Sequence, residues 1–374
     1  MSNAGNHKRR ATIRFYSAIA IAVVLVAGFA LIASGVLKTG GTPVSTGTAA
    51  PPAVGVSEED YSKFATIPGQ DSDAYTPIDP SDYVTVTDLS ARAGLSSEWT
   101  NILLIGEDWE LGRGWGRADT MIIASVNTND GRVKLTSIQR DTIIEIPDKG
   151  LQRINSTNQF GGPELTVKLV NEYFGMNITK YVSVDFLSFP ILVERLGGVT
   201  VEITEREWEA LETGVGNSIW CDILAFKETG RPMPDLDNTI RPDGPGVVRL
   251  TGRQALAYSR IRHIDNDFMR SQRQRKVLTA ILAEVRGVDF TTLSNLANEM
   301  MPYVRTNLTT LDMLTLAASV MANGAVIVGD ARLPGQGTYV EERRPIGLHD
   351  DIALAFFDVD FEANRKNLYD FIYD

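Results

Sequence analysis

Hydrophobic positions are distributed very unevenly along the chain. Residues 17–36 hold twenty consecutive positions without one charge. At 1.5 Å per residue a helix of that length spans about 30 Å, the thickness of a bilayer core. His7, Lys8, Arg9, Arg10 and Arg14 precede it. Basic flanks stay on the cytoplasmic side, so the pattern predicts a cytoplasmic N-terminus over 1–15, a transmembrane helix over 16–36 and an extracytoplasmic body. A cleaved signal peptide is the alternative. The apolar run exceeds the usual h-region of about 7–15 residues, and no A-x-A site follows closely. Residues 37–95 read as a linker and lead-in, the first part rich in Gly, Thr, Pro and Ala.

Dense patterning begins near residue 96 and continues to 374. The apolar run 102–105 predicts a buried strand. Runs 121–126 and 133–138 are rich in β-formers and flank Asn129-Asp130-Gly131, which predicts an antiparallel hairpin. A helix is expected over 163–174, with Pro163 near its first position and Gly175 after its end. Strands are expected at 181–184 and 199–203, with a helix over 186–196 between them. Residues 208–248 carry turn residues and little periodicity, so a long loop or insertion is expected. A helix over 268–286 presents Val277, Leu278, Ile281, Leu282 and Val285 on one face. Another helix over 309–321, a strand over 325–333 and an amphipathic helix over 361–373 complete the pattern. Strands alternating with helices define an α/β fold with a mixed central β-sheet flanked by helices.

The full chain has 374 residues and a formal net charge of −11. That balance argues against nucleic-acid binding and leaves any anion site as a local exception. A single cysteine, Cys221, excludes an intrachain disulfide, and His7, His263 and His349 are too scattered for a histidine-rich zinc site.

Three segments concentrate charge beside apolar elements. Asp108 and Asp119 stand either side of a Gly- and Trp-containing loop, each near a predicted strand end. They are either oxygen ligands for a hard cation or turn caps; Mg²⁺ takes one or two carboxylates plus substrate phosphate. Arg140 and Asp141 directly follow a buried run, where open α/β sheets bind ligands; an ordinary Arg–Asp pair is the other reading. Residues 249–276 carry eight basic residues against Asp265 and Asp267. If extended, Tyr258, Arg260 and Arg262 share one side. Arg270, Arg273 and Gln274 share a helix face. Arginine suits bidentate phosphate recognition. A solvated face is expected for Arg275 and Lys276, and Asp267 is alternatively a helix N-cap.

The stretches NILLIGED, RADTMI, SIQRDT, QRINSTNQFGGPEL, VDFLSFPILVERLGGVTVEI and LTGRQALAYSRIRHIDNDFMRSQRQRKVL resemble the LytR-CpsA-Psr family of cell-wall glycopolymer ligases, in order, over about residues 100–290. The resemblance implies a phosphotransferase that moves a glycopolymer from a polyprenyl-pyrophosphate carrier to peptidoglycan. It implies Mg²⁺, or Mn²⁺, held by Asp108 and Asp119. Arg117, Arg140, Arg260, Arg262 and Arg270 would clamp the phosphates, with Asp267 and Gln274 completing the polar site; Arg140, Asp141 and Asp267 would form the catalytic group. A metal with several arginines can stabilise the charge that builds on the leaving group. The chain departs from the family at Gln139, usually proline, and at 156–159, usually small and aromatic. A pyrophosphohydrolase using the same residues, and a non-catalytic lipid-pyrophosphate-binding scaffold, are the rival functions. An internal apolar groove for the isoprenoid is expected among Phe160, Leu165, Val167, Leu169, Val170, Phe186, Phe189, Ile191, Leu192 and Val193, with core packing as the alternative.

Overall fold

The fold is seen in a computed structural model that describes residues 82–107, 114–185, 187–229, 234–261, 264–265, 267–285, 304–309, 312, 316, 326–346 and 351–374. The predicted membrane helix lies outside these residues, as do Asp108, Arg262, Phe186 and most of 309–321. Among the described residues no helix is long and apolar enough to cross a membrane.

A six-stranded sheet organises the domain. Its strands are β1 (Trp99–Glu107), β2 (Ala118–Asn127), β3 (Arg132–Ile138), β6 (Lys180–Asp185), β9 (Val304–Thr306) and β10 (Val326–Leu333), in the order β10-β3-β2-β1-β6-β9. The β1–β2, β2–β3 and β6–β9 pairs are antiparallel, whereas β1–β6 and β3–β10 are parallel. The sheet is therefore mixed, as its sequence pattern predicts, and the expected 121–138 hairpin is present. Two short hairpins were not legible from periodicity: β4 (Ile143–Ile146) with β5 (Gly150–Arg153), and β11 (Val340–Ile346) with β12 (Asp351–Phe357).

Helix α1 (Ser156–Phe174) covers one sheet face together with α6 (Phe361–Tyr373). It begins seven residues before the expected start. Gly161 and Gly162 break it internally, and Pro163 opens the longer segment, as its N1 preference predicts. Gly162 sits at φ +70°, ψ −168°, a conformation essentially restricted to glycine.

The other face is covered by α2 (Phe189–Arg195), α3 (Glu205–Thr229), α4 (Gly252–Arg260) and α5 (Asp267–Val285), with the small β7 (Val199–Ile203)–β8 (Gly246–Leu250) ribbon. Helix α3 corrects the loop expected over 208–248. Its inward stripe is Glu207, Leu211, Val215, Ser218, Ile219 and Asp222, a helical spacing half of whose members are polar. Those polar members conceal the apolar period. They are buried because Arg253, itself 1% exposed, pairs with Asp222 at 2.5 Å and donates to Ser218. Gly214 lets α3 approach α4 closely: a Cβ there would stand 2.7 Å from that of Ala257.

The extended reading of Tyr258–Arg260–Arg262 is likewise overturned. Residues 252–260 are helical, started by a Thr251–Gln254 capping box. Tyr258 is consequently buried and Arg260 exposed, on different sides of α4. Arg275 is not on a solvated face either. It lies against the sheet, 3.1 Å from Asp330 of β10 and 2.9 Å from Ser137 of β3, whereas Lys276 is exposed as expected.

Candidate functional site

The carboxyl ends of β1, β3, β6 and β10 and the start of antiparallel β2 meet at one edge of the sheet. Such an edge leaves strand-end side chains free to face a ligand. Arg140 emerges there, two residues beyond β3. A β-bulge re-aims the neighbouring side chain: Gly106 pairs with Thr120 and Glu107 with Ala118, so Asp119 is the extra residue on β2. Arg140 Nη1 donates to Asp119 Oδ1 at 2.9 Å, both side chains 13% exposed. Arg140 Nε lies 3.4 Å from Asp141, whose other oxygen is 3.2 Å from Arg153 Nε. Arg140 thus makes the ordinary pair with Asp141 and a second one with Asp119. Asp141 is held between two guanidiniums, in a place to orient Arg140.

Helix α5 supplies the opposite wall. Arg270 is buried and Gln274, one turn on, faces inward, followed by Val277 and Ile281. Successive turns therefore pass from charged to polar to apolar over about 16 Å. Gln139, 1% exposed, donates to Ser271 at 3.2 Å and fastens α5 to the end of β3. Arg260 lies exposed at the end of α4, and Asp267 is the first residue of α5.

Behind this polar edge lies an open slot of about 800 Å³, its mouth included, between the sheet and α2, α4 and α5. Leu104, Ile122, Val182 and Val184 line its sheet side; Phe189, Leu192, Leu256, Val277 and Ile281 line its helix side. Thr120, Asp185, Ser259 and Gln274 are its polar positions. The expected groove list is corrected in part. Phe189 and Leu192 line the slot, but Leu165, Val167, Leu169 and Val170 are fully buried on α1, across the sheet. Phe160 packs against that same cluster, and Val193 belongs to the helical core on the slot side.

A second layer of polar contacts was missed from sequence. Glu107 is 1% exposed and burial pushes its carboxyl up, opposed by Arg305, whose Nη1 is 2.9 Å away. Asn158 donates to the same carboxylate. Arg117 Nε donates to Gln159 Oε1 at 3.3 Å. Arg273, expected on the face of Arg270 and Gln274, instead bonds Asp265, Glu207 and the Ile261 carbonyl while 1% exposed, so it ties Ile261 to Asp265. Burial works against its charge, but Asp265 and Glu207 outweigh that and raise its pKa. Burial and Glu207 push the Tyr258 hydroxyl up as well.

Among the described residues no group of three or more His, Cys, Asp or Glu could hold a metal ion. Asp119 offers a carboxylate at the sheet edge, the donor type that Mg²⁺ takes together with substrate phosphate oxygens.

An aliphatic slot lies on the helix-covered face of a mixed α/β sheet, with Arg140 and Asp119 paired at the sheet's edge. The chain belongs to the LytR_cpsA_psr family, whose profile matches residues 65–352. It is 33% identical over 222 residues to the polyisoprenyl-teichoic acid–peptidoglycan teichoic acid transferase TagU of Oceanobacillus iheyensis, covering 57% of this chain and 59% of that one. It is 31% identical over 250 residues to the protein of that name from Bacillus mycoides, covering 64% and 70%. The chain thus spans about six-tenths of the length of the first relative. Two solved structures share the fold. One is TagT bound to LIIa-WTA (TM-score 0.53, 21% identity, 78% of this chain and 95% of that chain). The other is B. subtilis TagV (TM-score 0.53, 22% identity, 74% and 98%).

Proposed function

We propose that this protein is a membrane-anchored phosphotransferase that moves a glycopolymer from a polyprenyl-pyrophosphate carrier to peptidoglycan. The observation that carries the reading is an aliphatic slot lined by Thr120, the neighbour in sequence of Asp119, which pairs with Arg140. An isoprenoid in the slot would bring its pyrophosphate toward that sheet edge. The relatives named as teichoic acid transferases support the glycopolymer and the peptidoglycan acceptor.

In this reading Arg117, Arg140, Arg260, Arg262 and Arg270 bind the phosphate oxygens, and Gln274 marks the boundary between head and tail. Asp108 and Asp119 hold Mg²⁺ or Mn²⁺, which supplies Lewis-acid stabilisation of phosphate charge. An acceptor hydroxyl attacks the sugar-linked phosphorus. The phosphoanhydride bond to the carrier breaks, a phosphodiester forms, polyprenyl phosphate leaves, and Asp267 receives the hydroxyl proton. Arg140, fixed by Asp119 and Asp141, needs little reorganisation as that charge develops. Residues 1–15 lie in the cytoplasm, 16–36 span the membrane, 37–95 form the tether and 96–374 the extracytoplasmic domain.

The test uses the full-length protein with a labelled lipid-linked teichoic acid oligomer and peptidoglycan. Label should enter the wall fraction and should stop doing so in chelator. Label released only as a soluble phosphoglycan would make water the acceptor and the protein a hydrolase. Unchanged transfer in full chelator would refute the metal role. A reporter fused after Asp374 should be active only outside the cytoplasm; activity inside would sink the topology.

A further inference from the structure

Residues 114–119 lead into β2 and bring Arg117 and Asp119 to the sheet edge. Gly116 and Glu107, the last residue of β1, meet one side chain. Asn158, fully buried in the first turn of α1, donates from Nδ2 to Glu107 Oε2 at 2.9 Å and to the Gly116 carbonyl at 2.7 Å. Both partners are acceptors, so only the amide nitrogen can face them. The other oxygen of Glu107 accepts from Arg305 Nη1 at 2.9 Å, which ties the same point to edge strand β9. The Arg305 guanidinium lies 4.8 Å from the centre of the Trp115 ring. That ring rests on Gly162, where a Cβ would stand 2.8 Å from it. Gln159, beside Asn158, takes the Nε–H of Arg117.

These contacts converge on residues 107 and 115–117, immediately before the bulge that presents Asp119. Two of the donors, Asn158 and Gln159, lie in 156–159, the turn in which the chain departs from its family's usual small and aromatic residues. Neither residue type could donate two bonds from a buried position. We propose that Asn158 is a positioning residue: with Arg305 it ties Glu107 to Gly116, and so sets how tightly Arg117 and Asp119 grip a pyrophosphate. This deepens, and rests on, the pyrophosphate reading of the site.

The test measures affinity of the full-length protein for geranylgeranyl pyrophosphate and for geranylgeraniol, with Mg²⁺ and in chelator. Loss of a partner that orients ligating groups typically weakens binding about 10–100-fold. Asn158→Ala should therefore weaken the pyrophosphate at least about tenfold and leave the alcohol unchanged. Amide exchange over residues 107–119 should rise while that of β3 stays constant. Unchanged pyrophosphate affinity, or equal loss for both ligands, would overturn the proposal. Arg305→Ala, at a 42% exposed position, gives a variant that spares the core should Asn158→Ala fail to fold. It should lose pyrophosphate affinity several-fold with the alcohol again unaffected, and no loss there would equally overturn the clamp. A wild type that binds pyrophosphate no better than alcohol sinks the reading of the site itself. A wild type indifferent to Mg²⁺ sinks only the metal, because Arg117 still reports the clamp.

Discussion

Arg140 and Asp119 neutralise one another at the edge of the sheet, at 2.9 Å and with only 13% of each side chain exposed. A pyrophosphate arriving with a cation would offer each a new partner: phosphate oxygens for the guanidinium, the cation for the carboxylate. The pair keeps the site electrostatically satisfied without ligand and arranged for the exchange. Removing one partner strands a half-buried charge, which costs about 1–3 kcal/mol. Arg140→Ala and Asp119→Ala should each destabilise by that order. Together they should cost less than their sum, with a coupling of about 0.5–3 kcal/mol. Denaturant unfolding of the four proteins measures this, and strict additivity would show that the pair is not an energetic unit.

Slot and core give opposite responses to added bulk. Val184→Phe and Leu256→Phe place extra atoms in the open slot. They should weaken binding of a polyprenyl phosphate while changing the melting temperature little. Val170→Phe fills the solid core under α1, where overpacking costs about 1–3 kcal/mol, and should leave lipid affinity alone in the folded fraction. Calorimetry with and without lipid separates the two. Slot variants that lose stability and keep full affinity would remove the slot as the tail site.

Gln139 occupies a position where the family usually carries proline, yet its backbone N–H donates to the Leu333 carbonyl at 2.7 Å. Its side chain also fastens Ser271 of α5. Gln139→Pro deletes both, and each net hydrogen bond contributes about 0.5–1.5 kcal/mol. Gln139→Ala deletes only the second. Thermal unfolding should rank wild type above Gln139→Ala above Gln139→Pro. A proline variant as stable as wild type would show that the ladder bond contributes nothing.

Arg270 and Arg275 stand five residues apart on α5 and should separate cleanly. Arg270 is buried one turn before Gln274, which lines the slot, whereas Arg275 holds β10 and β3 through Asp330 and Ser137. Arg270→Ala should lower turnover tenfold or more, since hydrogen bonds to charged phosphate are worth about 1.5–3 kcal/mol. Arg275→Ala should mainly lower the melting temperature. Steady-state kinetics on both would expose an error if the losses were equal, pointing to a diffuse electrostatic patch.

Much of this architecture was legible in the amino-acid order because it depends on local period. Runs 121–126 and 133–138 are rich in β-formers on either side of Asn-Asp-Gly and form the expected hairpin; 199–203 and 361–373 match the observed β7 and α6 to the residue. Segments whose buried face is polar were not legible. Helix α3 buries Glu207, Ser218 and Asp222, and α4 buries Arg253 and Gln254, so neither shows an apolar stripe. What makes those polar faces stable is a partner far away in the chain, such as Asp222 for Arg253 or Asp265 for Arg273.

The same division runs through the site. By itself the sequence determined that two aspartates and a set of arginines fall beside strand ends, because β-rich runs and their length locate those ends. Only the tertiary structure decided which of them meet. Strand order put β3 next to β2, and a bulge turned Asp119 toward Arg140. Burial made Arg273 a brace between Ile261 and Asp265, placed four of the expected groove residues in the opposite core, and recruited Glu107, Asn158 and Arg305 from three separate elements. Period is a property of neighbours along the chain, whereas desolvation and charge pairing depend on neighbours in space.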